Sequence, residues 1–517
     1  MTGTRQTDAD VLIVGAGPVG LTLANLLGTY GVSTVVIERN PGTVGEPRAV
    51  SIDDESLRTM QAVGLDDAVL KDVVQAYGVQ YFSWRGEPLA QILPTRQEFG
   101  FPKRNAFRQV LFERTLRTGA ERFANVRMLF EHELLSFEER DGVALCQVRN
   151  PEGVTELRAK WMVGCDGGRS PVREACGIAM AGNTFPQRWL IVDLDGRTTP
   201  LRHTQTFCDP VRPAIRLPGP HATLRYEFML RPHEDEAFAL DENRFRGWIA
   251  DRNPADRDLH LVRKVVYTFH ARVAERWRKS RVFLAGDAAH LSPPFAGQGL
   301  NSGIRDAFNL GWKLASVLKW GAPDALLDSY EPERRPHAAA LIQMSLRIGV
   351  FMQPKSRLHA MLMQTALKLA CLIPSARDYI LQLKFKPKPY LYEGFFERTA
   401  NAPHSEMLPQ PLVECPDRTT CRLDALLGEG FAVIGWDTPE FRKRAASLTP
   451  FNAPIRVVAL TRTHEDFIDA APEHILRARD PGGTLDAFLK DRNAEAIVVR
   501  PDRFWSRMGK LLQGNTA

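Results

Sequence analysis

Three glycines, Gly15, Gly17 and Gly20, stand at G-x-G-x-x-G spacing in the run Gly15-Ala16-Gly17-Pro18-Val19-Gly20, and an acid, Glu38, follows about 20 residues later. This arrangement can cradle a pyrophosphate. Gly15 permits a tight turn, Gly17 lets backbone N–H groups approach the phosphates, and Gly20 lets a helix pack closely on a strand. Glu38 would accept the ribose hydroxyls of an adenosine; Pro18 and Arg39, adjoining the loop and the acid, are further candidate cofactor contacts. Two later carboxylates also sit in glycine turns: Asp166 in WMVGCDGGRSPVR, and Asp287 in RVFLAGDAAHLSPPFAGQGLNSGIRDAFNLGWKL.

The elements needed to position these groups can be read around them. Residues 10–14 (DVLIV) form a continuous apolar run stopped by glycine, the signature of a buried parallel strand. LTLANLLGTYG then has apolar residues at helical spacing and ends at Gly31, a C-cap candidate, and residues 33–37 (STVVI) make a second strand ending at the acid. Strand, glycines, helix, strand and acid in this order indicate dinucleotide binding, although the motif alone does not separate FAD from NAD.

The three landmarks together, Gly15 to Gly20, Asp166-Gly167 and Gly286-Asp287, resemble those of the flavoprotein aromatic hydroxylases, the class A FAD monooxygenases. In that family the Gly-Asp carboxylate binds the ribitol of FAD, a role the resemblance carries to Gly286 and Asp287. An ionised carboxylate suits it, because it can accept two hydroxyl donors with charge-assisted bonds. The loop of residues 293–301, with Pro294 and Gly297, matches the segment beside the isoalloxazine, so that backbone N–H groups of Gly299, Leu300 and Asn301 would face its N1 and O2 edge. The helix beginning there would turn its positive end toward a reduced, anionic flavin. Arg48, Gln109 and Asp166 match family positions near the flavin and pyrophosphate, the ribityl region, and the Asp-Gly acid.

Segments outside these landmarks, including SIDDESLRTMQAVGLDDAVL, EFGFPKRNAFRQ, CDPVRP and HATLRYEFML, carry the resemblance over most of the chain to the 3-(3-hydroxyphenyl)propionate hydroxylase branch. The flavin loop departs from that branch: PPFAGQGL is the form associated more broadly with phenol and polyketide hydroxylases. The resemblance implies transient binding of NADH or NADPH, reaction of reduced FAD with O2 to a C4a-hydroperoxide, and ortho-hydroxylation of a phenolic ring. Arylpropionate, simple phenol, heteroaromatic and polyketide substrates all stay open. Such chemistry requires exclusion of water, a ring held within reach and removal of the phenolic proton. Arg48, Asp53 or Asp54, and Tyr267 are the catalytic candidates; Arg212, Arg216 or Arg225 could pair with a substrate carboxylate. Neither F-x-G-x-x-x-H-x-x-x-W nor W-x-W-x-I-P occurs, which argues against a Baeyer–Villiger oxygenase and a halogenase. A non-oxygenating flavin reductase or dehydrogenase, and a flavin-binding protein without catalysis, are the other readings.

The expected fold is α/β. A Rossmann-like FAD-binding domain (1–180) is interrupted by a helical and irregular stretch near 55–120, and an antiparallel-sheet substrate domain (181–275) carries TLRYEFML and VRKVVYTF. Residues 276–400 return to the FAD domain and supply connecting helices packed on the core, including RLHAMLMQTALKLACLI. A thioredoxin-like C-terminal domain (401–517) has strands FAVIGW, IRVVAL and AIVVRPD. Five residues separate Cys415 from Cys421, so there is no C-x-x-C pair, and this domain is expected to support structure or a homodimer. At 517 residues, with 44% hydrophobic and 25% charged residues, the chain suits a multidomain globular enzyme. The net charge of +6 is scattered rather than clustered, which argues against nucleic-acid binding. Seven cysteines lack ligand spacing, which argues against zinc or a disulfide scaffold. No run of about 18 apolar residues and no apolar signal core occurs. A cytoplasmic protein with a small aromatic substrate and no membrane partner is expected.

Overall fold

Continuous apolar runs, buried on both faces, become the parallel centre of the first sheet. Thr34–Glu38, Ala9–Val14, Gly153–Gly164 and Val282–Leu284 lie side by side, with Val126–Phe130 beyond Thr34–Glu38. The computed structural model describes residues 7–43, 48–398, 403–448, 451–463, 467 and 474–507. The expected boundary at 400–401 and the first six residues lie outside these. Helix Pro18–Thr29 covers the sheet and packs on the long helix Gly299–Lys319, whose buried side runs from Asn301 to Ser316. Gly31, just beyond the first helix, adopts φ 69°, the left-handed conformation that ends helices on glycine.

A second sheet of eight strands carries the alternating segments. Its order is His290–Leu291, His260–Ala274, Met180–Asp195, Leu224–Met229, Ala214–Pro218, His203–Phe207, Gly78–Phe82 and Pro88–Ile92. The last two strands come from the stretch expected to be helical and irregular. Their apolar positions are short and interrupted, and pairing with the distant strand His203–Phe207 is what makes them strands. One cross-strand row of this sheet runs Ile191, Glu227, Ile215, Thr206, Tyr81. Side chains in one row share a face, so this row places a carboxylate and a phenol on a largely aliphatic surface.

The thioredoxin-like C-terminal unit is a seven-stranded sheet with Phe431–Trp436, Ile455–Thr461 and Ile475–Arg479 parallel at its centre. Two buried ionic clusters clamp it to the rest. Asp424 takes Arg58 at 2.6 Å and Arg503 at 3.1 Å; Glu333, in helix Tyr330–Met352, takes Arg500 and Lys313, both at 2.8 Å. Burial would raise the Glu333 carboxyl, but Arg500 and Lys313 hold it down at about 2.

One expectation about packing is met only in part: in helix Arg357–Ala370, Leu367 packs against the core of the second sheet and Gln364 donates to the Cys208 carbonyl, but most of the apolar side stays open. Helix Arg357–Ala370 is amphipathic, yet it buries only Ala360 and Gln364, leaving Leu358 62% and Leu362 60% exposed. Periodicity identified the helix but could not say whether its apolar side would meet the core.

Candidate active site

The glycine loop joins strand Ala9–Val14 to helix Pro18–Thr29 and forms one wall of an open cleft of about 270 Å³. Gly15, Gly17, Pro18, Glu38, Arg39, Arg48, Gln109, Asp166, Asp287 and Leu300 all line it. The glycines differ in what they avoid. A Cβ at Gly15 would stand 2.5 Å from the Cys165 carbonyl oxygen, and one at Gly20 would strike the Gly15 carbonyl. At Gly17 nothing lies within 4 Å, so the protein itself does not require that glycine. What a side chain there would obstruct is a ligand approaching the loop.

The acids divide the work. Glu38 accepts from the Ala16 backbone N–H at 3.0 Å and from the Asn40 side chain at 2.6 Å, tying the glycine loop to the second strand. Asp166 accepts from the Val172 N–H at 2.9 Å through one oxygen, while Oδ1 is buried without a partner. Burial pushes its carboxyl upward, against the hydrogen bonds from Ser170 and Val172. Asp287 stands exposed in the cleft from a 3-10 turn at Gly286–Ala288. Gly286 has φ 62°, and a Cβ there would meet Val19 Cγ2 at 2.8 Å. An orphaned carboxylate oxygen, an exposed acid and a glycine loop with open space before Gly17 in one cleft fit FAD. The loop would take its pyrophosphate, and Asp287 has the chemistry to accept ribitol hydroxyls.

Behind the cleft lies a cavity of about 150 Å³ that shares Arg48, Ala49 and Leu300 with it. Pro294, Gly297 and Gly299 border this cavity on one side. Thr204, Thr206, Ile215, Leu217 and Glu227 of the second sheet form the opposite wall, with Tyr77, Tyr81 and Arg104 at one end. Gln109 Oε1 accepts from the backbone N–H groups of Arg48 at 3.2 Å and Ala49 at 2.7 Å, so this side chain holds the segment common to both spaces. Asn301 is a staple rather than a wall. Its oxygen accepts from Asp53 N–H at 3.0 Å and Ser56 Oγ at 2.7 Å, and its amide donates to Ser51 O at 3.1 Å and Gly297 O at 2.7 Å. These bonds tie the loop of residues 293–301 to the strand Ser51–Ile52.

Several candidates fall elsewhere. Arg212 pairs with Glu234 at 2.6 Å, Arg216 with Asp256 at 2.7 Å and Arg225 with Asp193 at 2.7 Å; none of the three borders the cavity. Each buried guanidinium has already met a carboxylate, so charge and position in the sheet were an insufficient guide. Tyr267 accepts from Arg263 at 2.6 Å and packs against the cluster that contains Trp189, and it is not among the residues lining the cavity. Asp53 caps helix Asp54–Ala62 by accepting from Ser56 N–H at 3.0 Å, and pairs with Arg305 and Lys386. Asp54 opens toward a separate surface cleft. Burial pushes Asp54 up to about 7 against the attraction of Lys386. Asp53, Asp54 and Glu55 lie close enough to suggest a cation, but Arg305 and Lys386 already neutralise Asp53 and Glu55.

Sequence reasoning missed Glu227, which is 4% exposed and lies 4.0 Å from Arg225. Burial pushes it up to about 7, opposed by Arg225. The alternation in TLRYEFML does put Glu227 on the face of Arg225, a signal that was available. Arg104 lay in FPKRNAF, and only the fold brings it beside Tyr77 and Tyr81.

Comparison with known proteins agrees with this geometry. A family described as an FAD binding domain matches residues 8–345, and one described as the HcaD C-terminal domain matches residues 405–515. Relatives from Escherichia coli described as 3-(3-hydroxy-phenyl)propionate/3-hydroxycinnamic acid hydroxylase are 40% identical over 508 residues, covering 96% of this chain and 90% of the relative. Among solved structures, aklavinone-11 hydroxylase in complex with FAD and aklavinone superposes with TM-score 0.78 at 24% identity, over 97% of this chain and 96% of that one; the likeness is one of fold. The p-nitrophenol 4-monooxygenase of Pseudomonas putida gives TM-score 0.67 at 26% identity, over 74% of this chain and 98% of that one.

Proposed function

The chain belongs to the FAD binding domain family and is an FAD-dependent aromatic monooxygenase, and we propose that its substrate is a single-ring phenol bearing a short acidic side chain, hydroxylated ortho to the phenolic oxygen. The observation carrying this reading is the cavity of about 150 Å³ that shares Arg48, Ala49 and Leu300 with the cofactor cleft. Cavities of about 150 Å³ take up one benzene ring, which favours a monocyclic substrate over a fused polyketide. The E. coli relatives named for hydroxyphenylpropionate and hydroxycinnamate support the same class.

The overall reaction consumes the phenol, NAD(P)H, a proton and O2, and yields the catechol, NAD(P)+ and water. Bound FAD supplies hydride acceptance and oxygen activation. The protein's own groups supply the rest. In this reading the glycine loop and Asp287 hold the cofactor, with Arg39 and Arg48 adding positive charge near its phosphates. Backbone N–H groups of Gly299 and Leu300 would face the ring system. Phe295, Ile348 and Met352 keep water from the cavity, whose dryness strengthens every charge interaction inside it. Glu227 is the proton acceptor we assign. A carboxyl near about 7 can take the phenolic proton onto a carboxylate oxygen at neutral pH and return it to solvent after turnover.

We take the domain limits to be those expected from sequence, with Gly78–Phe82 and Pro88–Ile92 assigned to the substrate sheet. No helix among the described residues is long and apolar enough to cross a membrane. The unpaired cysteines favour a reducing cytoplasm; sedimentation of the holoenzyme tests the expected homodimer. The functional test is NAD(P)H oxidation by the purified holoenzyme with 3-(3-hydroxyphenyl)propionate and with unsubstituted phenol. Stimulation by the acid with a product one oxygen heavier supports the reading. Turnover that proceeds equally without O2 refutes it.

A further inference from the structure

Arg104, just before strand Asn105–Phe107, lies half-buried at one end of the cavity. Its Nη2 donates to the Tyr77 hydroxyl at 3.0 Å, and its Cζ lies 5.1 Å from the Tyr77 ring centroid. Its Nε is buried without a hydrogen-bond partner, and no carboxylate among the described residues forms an ion pair with it. The other buried cations nearby are neutralised: Lys386 by Asp53 and Glu55, Arg225 by Asp193. A second orphan lines the same cavity, the Thr204 hydroxyl on the sheet wall, also buried without a partner among the described residues. Leaving one guanidinium N–H and a hydroxyl buried without partners is costly, and a ligand anion that reached both would remove that cost. A guanidinium presents a planar fork that matches a carboxylate, and Tyr77 fixes the direction of that fork.

The sheet sets the span. Arg104 is close enough to Tyr81 to oppose the burial that pushes the Tyr81 hydroxyl up to about 12. Tyr81 and Glu227 belong to one cross-strand row, separated by the strands bearing Ile215 and Thr206. Three inter-strand steps place their strands about 14 Å apart. A phenol whose hydroxyl meets Glu227 would therefore direct a side chain of a few carbons toward Arg104, with room for side chains at both ends. Resting on the assignment of this cavity to substrate, we propose that Arg104, oriented by Tyr77 and assisted by Thr204, binds the carboxylate of the substrate side chain and restricts the enzyme to phenols carrying an acid.

The test compares 3-(3-hydroxyphenyl)propionate with its uncharged counterpart 3-propylphenol, binding being read from the perturbation of flavin absorbance in the holoenzyme. Wild type should prefer the acid by about 30-fold or more, the scale of a charge-assisted pair in a dry site. Arg104→Met should remove that preference while leaving 3-propylphenol within about threefold, and Arg104→Lys should restore only part of it because an ammonium lacks the fork. Thr204→Val should weaken the acid by a smaller factor. Equal weakening of both ligands by Arg104→Met, or no change in either, overturns the proposal. Should that variant fail to retain FAD, the wild-type comparison decides alone, and equal affinity for acid and neutral phenol overturns the carboxylate anchor. Equal affinity together with substrate-stimulated hydroxylation leaves the hydroxylase reading standing, whereas no stimulation by either phenol removes that reading as well.

Discussion

Replacing Gly17 by alanine should separate what the glycine loop does for the fold from what it does for the cofactor. Gly17 has φ −76° and ψ −178°, extended backbone that alanine adopts without strain, and its Cβ would meet nothing within 4 Å. The apoprotein should therefore lose no stability and could gain about 0.4–1 kcal/mol from a less flexible unfolded chain. FAD binding should suffer, because a methyl group would stand where backbone N–H groups approach the pyrophosphate. Losing one charge-assisted hydrogen bond and displacing a second amounts to about 3 kcal/mol, or roughly 100-fold in dissociation constant. Gly20→Ala is the contrasting control: its Cβ would collide with the Gly15 backbone carbonyl, so the apoprotein itself should be destabilised by about 2 kcal/mol or more. Thermal melts of the two apoproteins and titration with FAD, followed by quenching of flavin fluorescence, supply both quantities. Wild-type FAD affinity in Gly17→Ala, or an apoprotein weakened as much as Gly20→Ala, would refute the reasoning.

Glu227→Gln should flatten the pH dependence of stability. Burial raises the folded carboxyl to about 7 from its ordinary 4.5, so its contribution is fully present below the unfolded value and is lost as pH rises through the folded one. The loss is about 3 kcal/mol between those limits; urea unfolding at pH 5 and pH 8 checks it, and identical slopes in both proteins would count against the assignment. Asn301→Ala removes four hydrogen bonds, three that hold the loop of residues 293–301 to Ser51 and the start of helix Asp54–Ala62 and one to Gly297 within the loop. We expect about 2–4 kcal/mol of destabilisation and a larger share of NAD(P)H oxidation ending in hydrogen peroxide, measured as peroxide per nicotinamide consumed. Arg500→Met leaves Glu333 and Asp502 facing one another in the buried clamp, at a cost of about 3–5 kcal/mol. Limited proteolysis should then release the C-terminal unit before the FAD domain unfolds; simultaneous loss of both would show that they unfold as one.

The cofactor half of the site was legible because it is built from local rules. Gly15 and Gly20 are demanded by neighbours brought together by a strand, a turn and a helix, so their spacing announces the unit. Glu38 ends the next strand and reaches back to Ala16 by the same local geometry. The Gly286-Asp287 turn was equally readable, since its left-handed glycine and exposed acid follow directly from the strand before it.

The substrate half resisted for the opposite reason. Arg212, Arg216 and Arg225 looked like anion binders as isolated letters, but each finds a carboxylate at a distance along the chain that no motif records: Glu234, Asp256 and Asp193. Among the described residues Arg104 has no such partner, and it is distinguished only by what fails to surround it. From order and spacing alone followed an α/β dinucleotide-binding unit and its glycine loop; the flavin, the role expected of the Gly-Asp acid and the reaction class came with the resemblance carried by the three landmarks together. Tertiary structure alone decided which charges are neutralised, which stay unpaired beside the cavity, and which helix leaves most of its apolar side uncovered. Local motifs are short-range chain geometry, whereas the fate of a buried charge depends on long-range pairing across sheets, and only the folded molecule contains that information.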